Sequence, residues 1–116
     1  MIKCLDISNI KLISKNKKYG ISRAGTLILT KEYRNFKKEI HFSCKNILTK
    51  INSPYIVKID LETPMDIDAS IQPILDGMQG KSFKNDSQIL KLVVNKIKIK
   101  KGQLGSLKVW VGTLNE

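Results

Sequence analysis

Apolar residues recur at spacings of three, four and seven from Tyr33 through Phe36, Ile40, Cys44, Ile47 and Leu48 to Ile51, the pattern of one buried face on an α-helix. Thr30 offers an N-cap, and Asn52, Ser53 and Pro54 offer a stop, so a long amphipathic helix is predicted to run to Ile51. The period then drops to two. Tyr55, Val57, Ile59 and Leu61 alternate with Ile56, Lys58, Asp60 and Glu62, which predicts a strand over Tyr55–Thr63 with the first set inward. Helical spacing returns at Ile71, Ile74, Leu75 and Met78 and predicts a short second helix. Pro73 constrains where that helix starts, because proline fits the first turn and clashes in the interior. A Ser70 cap keeps Pro73 in the first turn, whereas an Asp68 cap implies a kink.

The remaining elements are shorter. Residues 2–8 read as a first strand, with Ile2, Cys4 and Asp6 on one face and Lys3, Leu5 and Ile7 on the other. Residues 11–25, punctuated by Gly20 and Gly25, read as a loop or hairpin, and 26–29 as a short strand. Residues 89–99 and 107–111 are predicted strands joined as a hairpin through the stretch from Gly102 to Ser106. The sum is an α+β fold over residues 1–116, a single domain in which a mixed β-sheet carries one long and one short helix.

Charge changes the picture. The 116 residues carry a formal net charge of +11 and a pI near 9.8, which points to a polyanionic partner whose phosphates supply most of the affinity. All but two of the 21 basic residues are lysines, the exceptions being Arg23 and Arg34. Lysine serves as a point charge against phosphate, whereas base reading leans on bidentate arginine, so recognition of backbone shape is expected. Lys11, Lys15, Lys17, Lys18 and Arg23 form an acid-free basic arm, and Arg34 lies on the polar face of the long helix. An RNA-binding domain is a weaker reading, because aromatic residues make up 6% and Tyr33 and Phe36 fit the core. Cys4 and Cys44 are expected to be reduced, packed thiols. His41 is the one histidine, which leaves zinc chemistry little to work with. No run approaches the ~18 apolar residues of a membrane span, and residues 1–9 lack a secretory apolar core, so an intracellular, cytoplasmic protein is expected.

Against this basic body stands an acidic island: Asp60, Glu62, Asp66, Asp68, Asp76 and Asp86 are six of the ten acids, opposed within that stretch by Lys81 and Lys84. Grouped carboxylates disfavour one another's ionisation, and a bound divalent cation relieves that conflict. Mg²⁺ takes one or two carboxylates plus waters and substrate phosphate and can drive phosphodiester hydrolysis. Taken alone, two aspartates spaced like Asp66 and Asp68 just before a helix usually mean a turn residue and a cap.

In combination, the strand, the Asp66-Ile67-Asp68 motif, Asp76, and Asn85-Asp86 ahead of another strand resemble the RusA family of Holliday-junction resolvases over nearly the whole chain. The resemblance implies a homodimeric endodeoxyribonuclease that cuts four-way DNA junctions symmetrically in recombination and repair. It implies Mg²⁺, with Mn²⁺ as a substitute, held by Asp66, Asp68 and Asp86, with DNA gripped by Lys11, Lys15, Lys17, Lys18, Arg23, Arg34, Lys81 and Lys84. Asp76 matches a further family acid, with helix support as its alternative role. Two positions depart from the family: Ala69 stands for an asparagine and Gln72 for a lysine. Gln72 donates a hydrogen bond but no charge, which leaves three readings: a slow enzyme, one that uses Lys81 or Lys84 instead, or an inactive protein that binds structured DNA. Geometry adds a condition. If the strands on either side of the short helix were parallel, Asp66 and Asp86 would stand at opposite ends, roughly 26 Å apart at about 3.3 Å per residue. Antiparallel strands are therefore expected, with the residues after Gln79 returning to the site; the other solution is an acid from a partner subunit.

Overall fold

A computed structural model describes residues 1–115. Its spine is β4 (Tyr55–Thr63), where the period-two pattern holds throughout: Tyr55, Val57, Ile59, Leu61 and Thr63 are buried and the residues between them half-buried. β4 lies inside a four-stranded sheet. On one side β6 (Gly105–Thr113) runs antiparallel to it and pairs in turn with antiparallel β1 (Ile2–Ile10); on the other lies β5 (Ile89–Lys98). The sheet is mixed, as expected, and two helices accompany it.

Two expectations about connectivity are overturned. β5 runs parallel to β4, with Tyr55 beside Ile89 and Thr63 beside Lys98. The segment between them carries a helix and is long enough for the crossover that parallel strands require. β5 and β6 also form no hairpin, because β4 lies between them. Their connection passes over the end of β4, where Ile99 N donates to Thr63 O at 3.3 Å. The crossing is tight: a Cβ at position 105 would lie 2.1 Å from Glu62 O, so only Gly105 fits.

The helices also start and stop elsewhere than predicted. α1 (Lys31–Ser43) begins at the Thr30 cap, whose Oγ1 accepts from Tyr33 N at 3.2 Å, but ends well before Ile51. Beyond it the backbone finds other partners: Lys45 N donates to Cys4 O at 2.9 Å and Ile47 N to Lys81 O at 3.0 Å. Ile47 and Ile51 stay buried, so their spacing marked the core without marking a helix. α2 (Ile67–Met78) starts earlier than a Ser70 cap allows, with Asp66 as N-cap and Pro73 inside. The helix tolerates one missing N–H there, and Ser70 Oγ instead donates to Asp66 O at 3.1 Å. α1 and α2 cross at Gly77, where an added Cβ would lie 2.5 Å from Ile40.

β1 breaks its predicted alternation, since Cys4 and Leu5 are both buried. Its register against β6 shifts between Lys3 and Leu5 and again between Ser8 and Ile10, and a bulge of this kind turns consecutive side chains to one face. Cys4 and Cys44 are free and buried, as expected. The basic arm contains a short turn, Lys15–Lys17, followed by a hairpin of β2 (Tyr19–Ile21) and β3 (Leu27–Leu29).

Candidate active site

Asp66 and Asp68 stand where β4 gives way to α2. Thr63 Oγ1 accepts from Met65 N at 3.2 Å, turning the chain so that Asp66 becomes the N-cap in an extended conformation (φ −65°, ψ 150°). Its carbonyl accepts from Ser70 N at 3.2 Å, but its carboxylate makes no capping bond. Asp68 lies in the first turn, where the positive end of the helix dipole favours a carboxylate. Both side chains are exposed. The fold thus leaves the Asp66 carboxylate without a capping bond at this turn, with Asp68 two residues on.

They line one end of an open cleft of about 710 Å³ between α2 and β5, together with Lys15, Gln72 and Lys96, over a floor of Ile67, Ile71, Leu75, Leu92 and Val94. Lys15 Nζ lies 3.3 Å from Asp68 Oδ2. Lys96 reaches the cleft because parallel pairing sets it beside Leu61, near the end of β4; an antiparallel reading hid it. Lys81 and Lys84 are not among the lining residues. Lys81 instead closes the end of α1, donating to His41 O at 2.6 Å and to Phe42 O at 3.2 Å, the usual service of a lysine at a helix C-terminus. Lys84 is exposed ahead of β5.

Gln72 is committed elsewhere. Its Nε2 donates to Asp76 Oδ1 at 2.8 Å, while Asp76 Oδ2 accepts from the Tyr33 hydroxyl and, at 3.3 Å, from Lys18 Nζ. Lys18 also lies 5.4 Å from the ring centres of both Tyr19 and Tyr33. Burial pushes the Asp76 carboxyl up, but the bonds from Tyr33, Gln72 and Lys18 outweigh it and hold the group below the ordinary aspartate value. Burial, followed by the bond to Asp76, pushes the Tyr33 phenol well above its usual range. Asp76 therefore ties the basic arm, α1 and α2 together, the helix-supporting role.

Asp86 does not join Asp66 and Asp68 within the chain. It opens the short turn Asp86–Gln88 just before Ile89, and its N–H donates to Gln79 Oε1 at 3.2 Å. Since Ile89 pairs with Tyr55 while Asp66 follows Thr63, the length of β4 lies between them, roughly 26 Å. Among the described residues no group of three His, Cys, Asp or Glu side chains converges on one point. Asp60 accepts from Asn95 Nδ2 at 2.9 Å on the strand face away from the core, so the acidic island divides among four locations.

The basic residues spread around the arm and α1. Lys11 and Lys17 border one depression with Glu32 and Met65, and Arg34 borders another with Lys37, Lys38 and Lys81. Arg23 is exposed between β2 and β3. No helix among the described residues is long and apolar enough to cross a membrane. Comparison with known families matches residues 9–109 to the family described as endodeoxyribonuclease RusA. A search of curated proteins for similar sequences found no match.

Proposed function

The chain belongs to the RusA family of endodeoxyribonucleases, which act on Holliday junctions, and on that premise we propose that it is a Mg²⁺-dependent nuclease that cuts branched DNA as a homodimer. The observation that carries this reading is the pair Asp66 and Asp68, both exposed, Asp66 without a capping bond and Asp68 paired only with Lys15, lining a cleft with Lys15 and Lys96. Hard oxygen donors, one or two carboxylates with room for water and phosphate beside them, are what Mg²⁺ requires. When bound, the ion would supply Lewis acidity and an activated water. Asp66 and Asp68 would hold it on the turn, and Mn²⁺ could take its place.

Lys15 and Lys96 contribute charge where the phosphodiester lies and oppose the negative charge that develops as it is attacked. The arm and the polar face of α1 hold the flanking strands through phosphate contacts with Lys11, Lys17, Arg23 and Arg34. The products are a nick with 5′-phosphate and 3′-hydroxyl. A labelled four-way junction incubated with the protein should be cut in paired strands with Mg²⁺ or Mn²⁺ and remain whole in EDTA. Binding without cleavage across several divalent metals would replace this reading with that of a DNA-binding relative lacking the chemistry.

Gln72 predicts a slow enzyme. Restoring charge with Gln72→Lys puts an ammonium four residues from Asp68 on the same helix face and releases one bond to Asp76. We expect the cleavage rate to rise by about ten- to a hundredfold with junction affinity changed far less. Single-turnover cleavage beside a gel-shift titration checks this, and an unchanged rate would mean that Lys15 and Lys96 already provide the missing charge.

A further inference from the structure

The hairpin of β2 and β3 turns apolar side chains outward. Opposite residues of an antiparallel pair share a face, so the pairing of Tyr19 with Leu29 and of Ile21 with Leu27 gathers four apolar side chains on one side. All four are exposed, Tyr19 by 51%, Ile21 by 77%, Leu27 by 63% and Leu29 by 36%. A contiguous apolar patch of this kind marks an interaction surface. The hairpin is also held in shape at both ends. Its turn is closed by Ser22, whose N–H donates to Thr26 O at 2.8 Å and whose Oγ accepts from Thr26 N at 3.1 Å, with Gly25 supplying a positive φ of 79°. Its base is fastened where Thr30 N donates to Lys18 O at 2.9 Å and Thr30 Oγ1 donates to Lys17 O at 2.6 Å.

Charge decides what the patch receives. No acid occurs between Asp6 and Glu32, and Leu29 opens into a groove along α1 shared with Phe42, 88% exposed, where four lysine and arginine side chains outnumber Glu39 and Asp76. So basic a surface repels a second copy of itself, whereas nucleic acid brings negative charge together with flat apolar base faces. Those faces are hidden in a stacked duplex and come free where strands part. We propose that the hairpin packs Tyr19, Ile21, Leu27 and Leu29 against bases unstacked at the branch point of the DNA, while Arg23 and the flanking lysines hold the phosphates. Apolar side chains lodged against unstacked bases stabilise an opened duplex, and stacking on an aromatic face tolerates any sequence. The placement agrees with the cleft. Lys15, whose ammonium meets Asp68, lies four residues ahead of Tyr19, so the patch begins within about 14 Å of that lysine, roughly four phosphate spacings along a strand. The choice of branched DNA rests on the function proposed above.

Ile21→Thr combined with Leu27→Thr removes half of the patch and keeps residues suited to a strand, so the melting temperature should stay that of wild type. Gel shifts in Ca²⁺, where binding is read without cutting, compare a four-way junction with a linear duplex of the same sequence. The double variant should bind the junction about tenfold more weakly and the duplex within about twofold of wild type, because that hold is electrostatic. A fluorescent adenine analogue beside the branch point should brighten when wild type binds and far less with the variant. Ile21→Val combined with Leu27→Met keeps the patch apolar and should behave as wild type. Affinity and brightening unchanged by the threonines, equal losses on both DNAs, or a loss in the conservative pair as well would each overturn the role of the hairpin. Self-association of wild type that the threonines abolish would overturn it too, by making the patch a contact between copies. A wild type that binds junction and duplex alike removes the branched-DNA reading and this proposal together. A wild type that prefers the junction but cuts it in no divalent metal removes the nuclease reading alone, and the same two affinities still decide the hairpin.

Discussion

Asp66→Asn is expected to stop junction cleavage while leaving junction binding intact or tighter. The carboxylate is free of the fold, and asparagine is as good an N-cap as aspartate, so stability should stay within about 0.5 kcal/mol of wild type. On the proposed function what changes is chemical: one hard oxygen ligand for the metal and one negative charge beside the phosphate would disappear. Cleavage should fall on the order of a hundredfold or more, and gel-shift affinity measured in Ca²⁺ should hold or improve. Thermal unfolding alongside the cleavage time course distinguishes this from misfolding. Lost binding together with a lowered melting temperature would make Asp66 a structural residue.

The other large effect is expected at Asp76, and it concerns stability. Asp76→Ala removes the acceptor shared by Tyr33, Gln72 and Lys18 and leaves a buried phenol without its partner. Lys18 is 27% exposed, so water recovers part of the ammonium's loss, and the change should destabilise the chain by about 2–3 kcal/mol. Asp76→Asn, which keeps an acceptor but not the charge, should fall between. The acid limb of stability follows the same group. Its folded pKa lies below the ordinary value of 3.8, so its contribution is complete above that value and is lost as pH falls through the depressed one. Urea titrations between pH 2.5 and 7 should show wild-type stability declining at the acid end. In Asp76→Asn that part of the decline should be absent, and an identical decline in both would refute the assignment.

The local pattern of the chain was legible where one force acted alone. β4 follows its alternation because one face meets the helices and the other does not. The Thr30 cap formed as read because it depends on a single hydroxyl and the N–H of Tyr33. What failed were choices among partners. Ile47 and Ile51 fit a helical spacing, yet Lys45 and Ile47 bond to distant segments, and no periodicity carries that information. The order of β5 and β6 depends on which strand β4 admits to each side, and two apolar strands separated by a glycine turn look alike whether they pair together or straddle a third. For the site, Asp66 and Asp68 were visible as a local motif, and Lys15 as part of a basic run. Lys96 was not, because its place depends on the direction of a strand. Asp86 shows the same limit in reverse: part of the same acidic stretch of sequence, it is remote from the motif in one chain.

The pairing of Lys15 with Asp68 and of Lys18 with Asp76 bears on how the molecule exchanges partners. A phosphate arriving at either lysine displaces an internal carboxylate rather than a mobile salt ion, so these two positions release fewer counterions than their number suggests. The displacement at Lys15 runs both ways. On the proposed function, a divalent cation seated on Asp68 would free the ammonium for DNA, and DNA that draws the ammonium away would uncover Asp68, so each visitor would prepare the place of the other.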